Sequence, residues 1–260
     1  MFERVSSFLY PAITFVMLIA AWQLSIDVLH VPDYILPRPM MVLQSLKAGY
    51  IDGEFWPHFL FTLRSTVSGY MIGCGCAIVV GAVLAESPTF EKFVYPYVIA
   101  LQSMPKVALA PLIIVWFGYG FASKLVMVAL ICFFPLFVNT VVGIRQTNPA
   151  LINMMKAFSA PSWFIFVRVK LFAAAGHIFA GLQISIVLSL IGAVVAEFVA
   201  SSEGLGWLIQ ASLANFNTAQ MFAALLSLVF IGVVGTRVIQ GLHSRLIFWD
   251  RSPSRTTAAS

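Results

Sequence analysis

Apolar residues come in long blocks, separated by short polar or proline-rich breaks. A helix that crosses a bilayer needs about 20 mostly apolar residues. Six segments meet that requirement, at about 8–29, 58–85, 93–118, 125–144, 171–198 and 219–242. Phe8–Ile26 carries no charge over 19 residues and ends in no A-x-A-like cleavage site, so it reads as a retained first span rather than a signal peptide. From Gly204 to Thr236 no formal charge occurs over 33 residues, too long for one span. The polar cluster Asn215, Asn217, Thr218 and Gln220 divides it. A short helix from Gly204 to Leu213 is therefore expected before the last span, dipping partway into the membrane.

Two connections are long. Residues 30–57 open with "HVPDYILPRP", whose prolines predict an extended crossing. "MMVLQSLKAGY" follows and predicts a short amphipathic helix on the membrane surface. Residues 145–170 contain "TNPALINMMKAF", with Asn148 as N-cap and Pro149 at the first helical position. Leu151, Met155 and Phe158 share one face, "SAPS" breaks the helix, and "WFIFVRVK" leads into the fifth span. The result is a helix-turn-helix elbow rich in methionine and aromatics, a surface suited to a partner protein. Residues 251–260 read as a disordered polar tail. No internal repeat is evident.

Charge supplies the orientation. With the N-terminus inside, the inner side holds Arg4, Lys92, Arg145, Lys156, Arg168, Lys170, Arg245, Arg251 and Arg255. The outer side holds only Arg38 and Lys47. Lysine and arginine favour the cytoplasmic side, which places both termini there. Arg64, Lys106, Lys124 and Arg237 lie in spans or at their ends.

Composition agrees with the spans. The hydrophobic fraction is 60%, the charged fraction 10% and the mean hydropathy +0.95. Soluble domains carry about 25% charged residues. The chain reads as an all-α membrane protein, and the net charge of +5 follows the inner loops rather than a nucleic-acid surface. Cys74, Cys76 and Cys132 lie in apolar runs and are expected to be buried small residues. No metal-ligand spacing, nucleophile elbow or G-x-x-x-x-G-K-[ST] phosphate loop is present. The chain is not expected to be an enzyme or to bind a cofactor itself, so energy for any pump would come from a partner.

Several residues invite two readings. "QSMPKVALAPLIIVWFG" places Lys106 between Pro105 and Pro111 in an apolar span. Such prolines suggest a kinked helix beside a cavity. Lys106, with Met104 next to the first proline, either lines a translocation path or neutralises a buried acid such as Glu197, or snorkels. Glu197 is a gate or pairing residue, or a solvated helix end. His177 is a relay, or a packed hydrogen-bonding residue. Gln183 belongs to the same span, in "FAGLQIS". Gly69, Gly73 and Gly81 form small-residue faces for close helix packing, within the chain or between subunits.

From about Pro32 to Asp250 the chain resembles the membrane-spanning permease of a bacterial ABC importer, nearest the nitrate, sulfonate and taurine branch. The stretches that carry this are "MPKVALAPLIIVWFGYGFASKLVMVALICFFPLFVNTVVGIR" and "GAVVAEFVASSEGLGWLI". The resemblance implies a type I ABC importer permease fold with six transmembrane helices, a single domain over 1–250 and a cytoplasmic coupling-helix loop. It implies two ATP-binding cassette ATPase subunits, which hold ATP and Mg. It also implies a second permease chain, as a homodimer or, given the atypical coupling loop, a heterodimer, and a periplasmic or lipid-anchored substrate-binding protein. The elbow maps onto the coupling loop, with Asn153, Met154, Met155, Lys156, Ala157, Phe158, Ser159 and Ala160 as the docking residues. Where family members usually carry a glutamate, two alanines and a glycine, this chain has Asn153, Met154, Met155 and Ser159. Phe172 and Gly176 stand where prolines are usual. The substrate expected is a sulfonate, a nitrate-like oxyanion or a small heterocycle or aromatic acid. Two other readings are a secondary transporter or channel, with Lys106, Glu197 and His177 as an ion relay, and a membrane-embedded enzyme. The absence of inverted repeats and of clustered polar residues at one depth argues against them.

Overall fold

Prolines and glycines punctuate a chain that is otherwise helical. The computed structural model describes residues 2–247, and the expected tail at 251–260 lies outside the described residues. The helices are α1 (Phe2–Leu29), α2 (Pro39–Ile51), α3 (Phe55–Glu86), α4 (Pro88–Ser103), α5 (Ala110–Phe117) and α6 (Phe121–Arg145). They continue with α7 (Pro149–Ala157), α8 (Ser162–Ile165), α9 (Leu171–Ala200), α10 (Leu205–Ala214) and α11 (Thr218–Leu246). A 3-10 turn, Lys106–Leu109, precedes α5, and a π-helical turn, Phe166–Lys170, joins α8 to α9. No strand occurs among the described residues.

Five helical stretches are long and apolar enough to cross a bilayer, and there are six candidate spans if one broken pair counts as one. That pair is the expected third span. It is not a single kinked helix but two pieces, Thr89–Ser103 and Lys106–Phe117, bent by 91°. Pro105 cannot donate to the ladder, and Met104 and Pro105 are extended, so α4 stops there. Pro111 falls in the first turn of α5, where an amide donor needs no intrahelical partner. The fifth span also differs from expectation. The π turn lets helix run continuously over Ser162–Ala200, so the elbow is shorter than 145–170.

Two compact units emerge from the chain. The first comprises residues 1–62 and 201–229. In it Trp22 and Phe222 lie 5.6 Å apart, Tyr50 donates to Ser227 at 3.0 Å, and Thr218 donates to the Asp33 carbonyl at 2.7 Å. Helix α10 starts at Gly204 with φ +106 and no side-chain cap of its own. The first turn of α3 supplies the acceptors instead. Gly204 N–H donates to His58 Nδ1 at 3.1 Å, and Leu205 N–H donates to Thr62 Oγ1 at 2.8 Å. These satisfy two of the orphan amides every helix start exposes. His58 also stacks on Trp207, ring centres 5.0 Å apart. The short helix foreseen at 204–213 is thus anchored at its first turn.

The second unit comprises residues 63–200 and 230–260. Its centre is a close packing of α6 against α9, made possible by glycines on both. A Cβ on Gly143 would stand 2.8 Å from that of His177, and one on Gly181 would stand 2.8 Å from Leu136. In a bilayer, helices associate through such close packing rather than through a hydrophobic drive. Cys74 and Cys132 are buried as expected, but Cys76 is exposed, because it lies on the opposite face of α3. Ser87 Oγ accepts the Phe90 amide at 3.2 Å and so caps α4 after a one-residue break from α3.

Candidate functional site

The elbow is built by local signals. Asn148 Oδ1 accepts the Ala150 amide at 2.9 Å, and Pro149 opens α7. The far end closes with Ser159 in the left-handed region at φ +56, and the Ala160 amide reaches back to the Met155 carbonyl at 3.0 Å. This is a helix C-terminus of the kind glycine usually makes. Ser159 thus holds a conformation that glycine would adopt without strain.

No residue of α7 is buried. Asn153, Met154, Lys156, Ala157, Phe158 and Ser159 are exposed, while Met155 and Ala160 are half-buried. Phe158 is 78% exposed and Trp163 is 67% exposed. Both ends of the elbow are tied to the α3–α4 turn. Arg145 pairs with Glu91 at 2.7 Å, at the entry. Lys170 donates to both oxygens of Glu86, at 2.6 and 2.8 Å, at the exit.

The broken span explains its own lysine. Where α4 stops, its last carbonyls lose their partners. Lys106 Nζ donates to one of them, Gln102, at 3.0 Å, and sits 4.6 Å from the centre of the Phe134 ring. A cation at a helix C-terminus and over an aromatic face is favourable on both counts. Lys106 therefore caps the break that Pro105 creates. Met104 is the extended residue at that break and is 42% exposed.

Lys106 is held at the break of the third span, and the lysine at the end of α9 is another. Glu197 and Lys124 are both buried, at 0% and 1% exposure. Lys124 Nζ donates to the Tyr119 carbonyl at 2.5 Å and to the Ala200 carbonyl. In the sequence Lys124 stands at a span end with no partner in view. A lone lysine four residues into an apolar helix was the available signal.

The other candidates do not converge. His177 is half-buried, with its Cβ against Gly143. Gln183 and Glu197 are 14 residues apart on α9, on one face but separated by roughly 21 Å of helix rise. Gly69, Gly73 and Gly81 all face α6 of the same chain, opposite Val128, Ala129 with Cys132, and Thr140. Among the described residues no group of His, Cys, Asp or Glu has the geometry to hold a metal ion.

Comparison with known proteins fits this architecture. Residues 77–248 match the family described as binding-protein-dependent transport system inner membrane component. The chain is 36% identical over 255 residues to the riboflavin transport system permease protein of Chloroflexus aurantiacus, covering 96% of this chain and 95% of that one. It is 31% identical to the formylaminopyrimidine transport permease protein of Halalkalibacterium halodurans, covering 96% and 99%. It is 28% identical to a protein of Bacillus subtilis named for aliphatic sulfonate transport, covering 94% and 87%. Among solved structures, an inward-facing form of the MetNI methionine ABC transporter superposes with a TM-score of 0.56 at 18% identity, covering 72% of this chain and 94% of that one. The chain belongs to the binding-protein-dependent transport system inner membrane component family. It is an ABC importer permease for small solutes, with the type I permease fold, and a multi-pass inner-membrane protein.

Proposed function

We propose that this chain forms one half of a two-permease pathway that imports a small solute by alternating access, driven by ATP hydrolysis on two partner ATPase subunits. A substrate-binding protein delivers the solute, and both termini lie in the cytoplasm, as the distribution of lysine and arginine favours. The permease domain spans residues 1–250. Residues 153–160 dock in the ATPase subunit, and the observation that carries this is the exposed elbow. An apolar side chain such as Phe158, 78% exposed outside the membrane spans, calls for a protein partner. ATP binding closes the ATPase pair, that motion pushes on α7, and the pathway opens toward the binding protein. Met104 and Lys106, at the break in the third span, border the path. Gln183, His177 and Glu197 belong to the helix that moves with it.

A small heterocycle is the favoured substrate class. Relatives at 36% and 31% identity are named for riboflavin and formylaminopyrimidine transport, against 28% for the relative named for sulfonates. Selectivity rests mainly with the binding protein, so the residues of this chain do not fix the choice.

The test is recovery of the tagged chain from its native membrane under mild detergent, with subunit ratios by mass spectrometry. The expected result is one phosphate-loop ATPase subunit per permease chain. Met155→Asp or Phe158→Asp should then reduce ATPase recovery and uptake at least about tenfold, with membrane insertion unchanged. Normal uptake in both variants sinks the docking assignment. Uptake that survives ATP depletion but collapses with the proton gradient sinks the importer reading.

A further inference from the structure

At the end of α9 remote from the elbow, one ammonium answers three needs. The last carbonyls of a helix lack intrahelical partners. Where the last turn is buried, as at Ala200 with 7% exposure, water does not replace them. Ala200 is the last residue of α9, and its carbonyl accepts from Lys124 Nζ. The turn between α5 and α6 offers the same ammonium a second carbonyl. Gly118 sits at φ +79, so the chain reverses there and leaves the Tyr119 carbonyl outside either helix. Lys124 accepts that task too, at 2.5 Å. Glu197, an acid buried to 0% exposure, stands one turn before Ala200 on the same helix end, and Lys124 itself is buried to 1%. Ser123 completes the turn by donating to the Gly120 carbonyl at 2.9 Å.

This arrangement ties three pieces of chain at one point: the end of the bent third span, the start of α6 and the end of α9. All belong to the unit that holds residues 63–200, and the chain leaves that unit immediately after Ala200. A buried charge pair adds little net stability by itself, because desolvation offsets attraction. What it does give is a single geometry, since the alternatives leave a buried charge unpaired.

We propose that Lys124 is a positioning residue, clasping the α5–α6 turn to the last turn of α9 with Glu197 as counter-charge, so that α5, α6 and α9 move as one body when the transporter cycles. The inference rests on the transport reading above for its functional half only. Without the clasp, motion delivered to α9 at the elbow would not reach the bent span, and ATP would be spent without import.

The experiment uses the complete transporter in proteoliposomes, with Lys124→Met, Lys124→Arg, Glu197→Gln and the Lys124→Met/Glu197→Gln double variant. Two quantities are read: ATP hydrolysed per solute imported, and the melting temperature. Lys124→Met should lower the melting temperature by about 10 °C, since it strands a buried carboxylate. The double variant should recover at least half of that loss, because the stranded charge is gone. The ATP cost per import should rise at least about tenfold in Lys124→Met and stay raised in the double variant, whose two carbonyls remain unclasped. Lys124→Arg, which keeps the charge and the donors, should bring the cost back toward the wild-type value. A lowered melting temperature with a wild-type ATP cost overturns the positioning role and leaves Lys124 as a stability residue. Additive melting effects of Lys124→Met and Glu197→Gln overturn the pairing. ATP-independent import by the wild type would fail the transport reading alone, because the melting cycle reads the clasp without it.

Discussion

Replacing Gly73 by alanine should separate two membrane helices. A Cβ at Gly73 would lie 2.6 Å from the Ala129 carbonyl oxygen and 2.8 Å from the Ala129 Cα. Both atoms are backbone, so no rotamer change relieves the contact. Ordinary contact begins at 3.4 Å, so α3 and α6 must part by about 0.8 Å, the difference between 3.4 and 2.6 Å. Overpacking of this kind costs about 1–3 kcal/mol. At about 2–4 °C per kcal/mol for a chain of this size, the melting temperature should fall by roughly 2–12 °C. Two neighbours on α3 calibrate the argument. Gly81→Ala meets Thr140 Cβ at 3.1 Å and the Phe137 carbonyl at 3.2 Å, which a few tenths of an ångström relieve. Gly75→Ala meets nothing within 4 Å, and removing a mid-helix glycine favours the helix by up to about 1 kcal/mol. The assay is thermal unfolding of the detergent-solubilised chain, with all three variants side by side. The expected order of loss is Gly73, then Gly81, then Gly75 with none. A Gly75 variant less stable than the Gly73 variant would refute the packing argument.

Two further outcomes follow from local geometry. Ser159→Gly should stabilise the elbow by about 1 kcal/mol, because the native φ of +56 is strained for any side chain. Slower hydrogen exchange at the amides of 158–160 would register it, and unchanged or faster exchange would refute it. Thr62→Val removes the acceptor for the Leu205 amide, and His58→Phe keeps a ring on Trp207 while removing the acceptor for Gly204. Each should cost about 1 kcal/mol at the start of α10, seen as roughly fivefold faster exchange at residues 204–206.

How much of this was legible in the sequence depended on the range of the signal. Five of the six apolar blocks are single helices long enough to cross, because a bilayer demands length and apolarity from each segment alone. The cap at Asn148 and the break at "SAPS" are equally local, and α7 starts and stops there. The third span was only half legible. Two prolines announced a disturbance, but whether helix kinks or stops depends on what the freed carbonyl meets, and here it meets Lys106. The fifth span was misjudged at its start because no residue in "FVRVK" announces a π turn; an extra residue in the ladder leaves no compositional trace. Lys124 was passed over for a related reason. Its partners, Tyr119 and Ala200, contribute backbone carbonyls, which carry no mark in a sequence. Ala200 is 76 positions away, and only the packing of α6 on α9 brings the two together.

The π turn at Phe166–Lys170 bears on the history of the chain. Its marker is the Leu171 amide bonding the Phe166 carbonyl, five residues back instead of four. One additional residue is thereby absorbed within a helix, with no loop and no change to α9 beyond it. Had the same insertion been spread along a regular helix, everything on the elbow side would have turned by about 100° and shifted by about 1.5 Å relative to α9. Confined to this turn, the extra residue leaves the α6–α9 glycine contacts and the helix leading back to the elbow in register.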